Sequence, residues 1–251
     1  MLIDTHLHLL DCDNDIDSII NDAFNNDVKY LIVAGTNVED NIKNLEVFND
    51  YENVFLTLGY HPEVANEIND SDLLKLEQNI IDNREKVVGI GEIGLDYHYT
   101  KENKQEQIDL FEKQLFIAKK YNLPVVVHSR DAINDTYEII KNMNIKKGII
   151  HCFSGSYEMA KKFIDLGFYL GVGGVITFKN SNLKEVIKKL DLKNIVFETD
   201  SPYLSPYRGE KNEPKNVLYI ANFVKDLYGC SIDCVENTTT DNVIKLFDLN
   251  I

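Results

Sequence analysis

Eight short apolar runs rich in Val, Ile and Leu punctuate the chain, at residues 2–8, 28–34, 53–59, 86–92, 124–128, 148–151, 168–173 and 194–199. Each is too continuously apolar for a strand with one wet face, so together they read as parallel strands covered on both faces. Amphipathic stretches separate them. Ile108, Phe111, Leu115 and Ala118 recur at helical spacing, and so do Val217, Ile220, Ala221 and Val224. Pro214 stands where the first turn of the second of these helices is expected, a position that proline favours. A last helix is expected over 241–247. Eight strand–helix units in 251 residues suit a single (β/α)8 TIM-type barrel with an extra C-terminal helix. A doubly wound sheet would need fewer strands and a reversal of strand order. No Pro-, Gly- or Ser-rich linker divides the pattern, so one domain is expected over residues 1–251.

The six histidines fall at 6, 8, 61, 98, 128 and 151. His6 and His8 lie two apart at the end of the first strand, so both point to one face. The even positions Leu2, Asp4, His6 and His8 are expected inside the barrel, with Ile3 and Leu7 toward the helices. His128 ends the fifth apolar run, His151 the sixth and Glu92 the fourth, and Asp200 follows the eighth. Barrel active sites form at the C-terminal strand ends, from several strands at once. Each of these residues alone has an ordinary structural explanation as a cap, a turn residue or a buried histidine. Six of them at five strand ends are better explained as the donors of a two-metal centre.

Other features narrow the choice. Gly89-Ile-Gly-Glu-Ile-Gly94 matches a dinucleotide fingerprint literally, but Leu95-Asp-Tyr-His-Tyr-Thr100 is no helix start. Close backbone approach at a barrel rim accounts for the glycines better. The four cysteines form no CxxC pair, which excludes a zinc knuckle or a thioredoxin motif. The strand pattern begins at Leu2, and no apolar run reaches the length of a membrane span. A reduced, cytoplasmic protein is expected, with no membrane and no obligate protein partner. A net charge of −15 argues against tight, groove-filling DNA binding, but not against an enzyme that meets phosphates through metal ions. Of the 26 basic residues only three are Arg, at 84, 130 and 208, and Lys cannot replace their bidentate fork.

Asp4-Thr-His-Leu-His8, Gly91-Glu-Ile-Gly-Leu-Asp-Tyr97, Val127-His-Ser-Arg-Asp-Ala132, His151-Cys-Phe-Ser-Gly155 and Glu198-Thr-Asp-Ser-Pro202 together resemble the TatD family of metal-dependent deoxyribonucleases, within the amidohydrolase superfamily. Arg208-Gly-Glu-Lys-Asn-Glu-Pro214 does so as well, and the motifs stand in family order from Asp4 to about Phe247. The resemblance implies that His6, His8 and Asp200 hold one divalent cation, that His128 and His151 hold a second, and that Glu92 bridges them. Zn, Mn, Co or Fe suits this imidazole–carboxylate set better than Mg, although family members are often regarded as Mg-dependent.

Two metals supply a Lewis acid and a water-derived nucleophile for phosphodiester hydrolysis. Asp200 is then the expected proton acceptor, with Glu92 the second catalytic carboxylate. His61, after the third strand, Arg130, just past His128, and Arg208, in the loop after the eighth strand, are candidate substrate-binding residues. His98 reads as a loop residue, and Cys152 is expected to point away from the site. The expected substrate is the end of a DNA chain or another phosphodiester, cleaved in the manner of a 3′–5′ exonuclease. Other ester or amide substrates, including D-aminoacyl-tRNA or small amides, would use the same ligands. A non-catalytic barrel would lack some of the ligands, and a three-metal phosphoesterase would need more histidines.

Overall fold

The computed structural model describes residues 1–98 and 102–251, so the last two residues of the Leu95–Thr100 stretch lie outside it. Eight strands form one parallel sheet in sequence order: β1 (Leu2–Leu7), β2 (Val28–Ala34), β3 (Val54–Leu58), β4 (Val87–Asp96), β5 (Val125–Arg130), β6 (Gly148–Ile150), β7 (Phe168–Val172) and β8 (Ile195–Phe197). Helices α1 (Ile16–Asn25), α2 (Val38–Phe48), α3 (Asp70–Asp82), α4 (Lys104–Tyr121), α5 (Ile133–Asn142), α6 (Tyr157–Asp165), α7 (Leu183–Ile187) and α8 (Val217–Tyr228) alternate with them, and α9 (Ile232–Phe247) follows. This is the (β/α)8 barrel with a C-terminal helix.

The helices start where side chains satisfy their first amides. Asp15, Asn37, Ser156 and Ser231 accept from backbone N–H groups of α1, α2, α6 and α9, and Asn69 and Asp72 cap α3 reciprocally. Pro214 opens a short 3-10 turn that runs straight into α8. Helix α9 is nine residues longer at its start than the sequence pattern suggests.

The seam between β8 and β1 closes through the residues beyond β8. The His8 amide donates to the Ser201 carbonyl at 2.7 Å, and the Asp200 amide to the His6 carbonyl at 2.9 Å. The buried Asp4 carboxylate accepts from the Thr199 amide at 2.9 Å and from its hydroxyl.

Two apolar cores result. One lies between sheet and helices and contains Leu2, Leu7, Leu31, Leu56 and Phe111. The other draws Ile3, Ile32, Phe55, Val88, Val126, Ile149, Tyr169 and Val196 from all eight strands, so it fills the barrel. Val243, Leu246 and Phe247 of α9 pack into it and floor the barrel. The expected alternation along β1 is therefore corrected. Ile3 points inward and Leu2 faces the helices, the reverse of the expectation, whereas Leu7 faces the helices as expected. Register shifts between Leu2 and Ile3 and between Asp4 and Leu7 reset the parity, which is how Ile3 and His6 share the interior.

Candidate metal centre

Strand β4 runs four residues beyond Glu92, so Glu92 is an interior strand residue rather than a strand end. A register shift between Ile90 and Ile93 turns it inward, and its amide donates to the Gly35 carbonyl beyond β2 at 2.9 Å. Close backbone contact makes this route depend on glycine. A Cβ on Gly91 would stand 2.7 Å from Val126 Cβ, and one on Gly94, at φ +145°, would stand 2.0 Å from the His128 carbonyl oxygen. This close packing accounts for the literal GxGxxG, and β4 continues as a strand through Leu95 and Asp96 where a dinucleotide site would open a helix.

The two Glu92 carboxylate oxygens face different partners. Oε2 lies 3.4 Å from His6 Nε2 and 3.5 Å from His8 Nε2. Oε1 lies 2.8 Å from His128 Nδ1, 3.1 Å from His151 Nε2 and 3.6 Å from His61 Nε2. Asp200 Oδ1 completes the first group, 3.6 Å from His6 Nε2 and 3.4 Å from His8 Nε2. The six residues read from the sequence as ligands thus converge as two donor groups sharing one carboxylate. His61 enters the second group, since its Nε2, Glu92 and His128 lie close enough to share an ion. Its Nδ1 also accepts from the Glu63 amide at 3.3 Å, so it caps a turn at the same time.

The donor chemistry fits a divalent cation. His6 is fully buried, and neither of its ring nitrogens has a hydrogen-bond partner; nor has His151 Nδ1. Buried nitrogens without partners are costly unless something else takes their lone pairs. A cation beside Glu92 and Asp200 does so, with His6, His8, Glu92 and Asp200 able to hold one ion and Glu92, His128 and His151 another.

The charges are coupled. Burial acts to raise the Glu92 carboxyl, but His151, His61 and His6 around it and the His128 hydrogen bond hold it well below the usual carboxylate range. Burial acts to lower the histidines, and it prevails at His6 and at His61, which is pushed down to about 4. At His8 the Asp200 and Glu92 carboxylates overcome burial and raise the imidazole to about 9. His128 and His151 are raised in the same way, by Asp96 and Glu92 and by Glu92 and Glu198 respectively.

Three carboxylates support the donors from behind, and no role had been read for them in the sequence. His128 Nε2 lies 3.0 Å from Asp96 Oδ2, which aims its Nδ1 at Glu92. His151 Nδ1 lies 3.6 Å from Glu198 Oε1, and Glu198 also accepts the Cys152 amide. Asp4 ties β1 to Thr199, so His6 and Asp200 keep their spacing; burial pushes its carboxyl up to about 8. Asp96 stands four residues after Glu92 and Glu198 two before Asp200, spacings a strand can bring to the same side. Such carboxylate–imidazole pairs fix a ligand's ring orientation and raise its basicity.

An open cleft of about 700 Å³ leads to the centre, lined by His8, His61, Glu92, His128, His151 and Asp200 and by Arg130 and Tyr203. Its flank at the loops after β2 and β3 carries Glu39, Asp40, Lys43 and Glu63. Arg208 lies outside this wall, exposed in the loop after β8. His98 is an exposed loop residue 3.0 Å from Asp131, and Cys152 is not part of the wall.

Residues 3–248 match the family described as TatD related DNase. An uncharacterized metal-dependent hydrolase of Bacillus subtilis, YabD, is 37% identical over the whole of both chains. The crystal structure of YjjV, a TatD homologue from Escherichia coli, superposes with a TM-score of 0.92 at 32% identity, covering 99% of this chain and 98% of that one. A TatD family hydrolase from Entamoeba histolytica gives 0.90 at 25%, covering 98% and 97%. Among the described residues no helix is long and apolar enough to cross a membrane. A full-length match to a metal-dependent hydrolase, joined to a family match over nearly the entire chain, establishes this protein as a metal-dependent hydrolase of the TatD family.

Proposed function

We propose that the protein is a phosphodiesterase acting on DNA ends, with two divalent cations and 3′–5′ polarity. The observation that carries this reading is the division of Glu92 between two donor groups, one oxygen to each, on the floor of an open cleft. When bound, paired cations polarise a phosphoryl oxygen and lower the pKa of water. The family's description as TatD related DNase supports DNA as the substrate class.

Glu92 has both oxygens engaged by histidines and 5% of its side chain exposed, so it would serve as a fixed ligand shared by both cations. Asp200 has 15% exposed and forms part of the cleft wall. Its carboxylate stays ionised because burial, which acts to protonate it, is outweighed by the His8 hydrogen bond and the neighbouring imidazoles. Its place on the cleft wall puts Asp200 where it can take the proton of the attacking water and pass it to the leaving oxygen. His61 and Arg130 face the cleft and bind phosphate oxygens. On the cleft wall Asp11, Glu39, Asp40 and Glu63 outnumber Lys43 and Arg130, an acidic excess that disfavours a strand running through the cleft and favours a chain end over an internal bond. The four cysteines are free thiols, in keeping with action in a reducing cytoplasm.

The test is release of nucleotides from end-labelled single-stranded DNA with Mn²⁺ or Mg²⁺. Replacing His128 by Ala is expected to lower kcat by at least about 100-fold. Equal release by the wild type and this variant would overturn the reading, and a panel of amides and aminoacyl esters would then locate the hydrolysed bond.

A further inference from the structure

The rim of the cleft carries a feature that metal chemistry leaves unexplained. From Tyr203 on its wall, the loops after β7 and β8 expose aromatic rings. Tyr203, Tyr207, Tyr219 and Phe178 are 52%, 40%, 40% and 38% exposed, large values for rings that would otherwise be buried. Tyr203 begins the series at the metal centre, its ring 6.0 Å from that of His8 and its hydroxyl donating to Asp11 at 2.9 Å. Tyr207 continues it outward, 5.0 Å from Tyr219 in the first turn of α8. Arg208 follows Tyr207, exposed and with no ion-pair partner among the described residues. The nearby Lys211 and Lys215 are neutralised, by Asp13 and by Asp22 and Glu213.

These rings stand on a fixed base. The Asn212 amide group donates to the Thr199 and Tyr203 carbonyls at 2.6 and 2.8 Å and its oxygen accepts from Asn216. A Cβ on Gly174 would stand 2.4 Å from the Leu204 carbonyl oxygen, so the two loops are in close contact. A rigid surface binds without the cost of ordering itself.

We infer that the loops after β7 and β8 form a stacking platform for the unpaired bases of a single strand whose terminal phosphodiester lies at the metal centre. This rests on the nucleic-acid reading above. Exposed rings beside an unneutralised guanidinium match the π-face of a base next to a phosphate. Within a duplex the faces of paired bases are stacked on their neighbours, so a duplex end must fray before successive bases can engage the rings. Stacking is indifferent to base identity, and little sequence preference is expected.

The test is fluorescence anisotropy with the Mn²⁺-loaded full chain and two probes of equal charge, a phosphorothioate thymidine octamer and an abasic octamer. The thymidine strand is expected to bind about tenfold more tightly. Tyr207→Ala should remove that difference, Tyr207→Phe should retain it, and Arg208→Ala should weaken both strands alike. Both Tyr207 variants should hydrolyse methyl p-nitrophenyl phosphate at the wild-type rate, which shows an intact fold and metal centre. Equal binding of the two strands by the wild type would overturn the platform, as would a base preference surviving Tyr207→Ala. A base preference without DNA cleavage would instead overturn the nuclease reading and leave the platform standing.

Discussion

Asp96 decides how His128 presents its lone pair. Its Oδ2 lies 3.0 Å from His128 Nε2, and the opposite ring nitrogen meets Glu92 at 2.8 Å. Replacing Asp96 by Asn keeps the shape and removes the charge. Affinity for the second cation is expected to fall about 10- to 100-fold, measured by competition with a chelator of known affinity; unchanged affinity would dismiss Asp96 as a positioning residue. Protonation gives a second check. His8 is raised to about 9 by Asp200 and Glu92, so in the metal-free protein it carries a proton at neutral pH. A cation must displace that proton. Apparent metal affinity should therefore rise with pH between 7 and 9, by up to about tenfold per unit for one released proton. Calorimetry in buffers of different ionisation enthalpy reads the proton directly, and a flat profile would count against His8 as a ligand. The histidines were legible in the sequence because a polar residue closing an apolar run is conspicuous. Asp96, Glu198 and Asp4 were not, because each is defined by a partner 32, 47 or 195 residues away.

At the scale of single elements, buried parallel strands declared themselves as apolar runs, and all eight lie where those runs stand. Strand β4 outran its own pattern because packing against β5 at Gly94 and Leu95 carries it on to Asp96. The start of α9 was hidden by Asn237-Thr238-Thr239-Thr240, residues with weak helix preference. Tertiary contacts override that preference: Thr240 donates to the Met1 carbonyl, and Asn242 to the carbonyls of Leu192 and Ile195. Bulges in β1 defeated simple alternation for the same reason, since closing a curved sheet outweighs local parity. Two glycines separate strain from collision. Gly229→Ala, at φ +65° with open space around it, should cost about 1 kcal/mol. Gly94→Ala must also push aside the His128 carbonyl and should cost more than about 3 kcal/mol. Urea unfolding of both variants measures the gap, and equal losses would refute the role given to close packing.

On the scale of the whole molecule, the centre concentrates two carboxylates and five imidazoles in a buried space, an arrangement that favours a bound cation. Metal binds the folded chain alone, so it adds about 2.7 kcal/mol at a free concentration 100 times Kd. For a domain of this size that is about 5–10 °C in Tm per site. Differential scanning calorimetry with Mn²⁺ and then with excess chelator should show this drop, and identical melting curves would contradict a cation centre. A net charge of −15 remains compatible with nucleic acid, because only the mouth need attract phosphate. The seam has a further consequence. His6 and His8 sit near one end of the chain and Asp200 follows the last strand, and they meet only when β8 is laid beside β1. During synthesis on the ribosome, some two hundred residues must emerge before the first donor group exists. The nascent chain therefore stays catalytically silent until its barrel closes, and hydrolytic capacity arrives in a single late event with the completed fold.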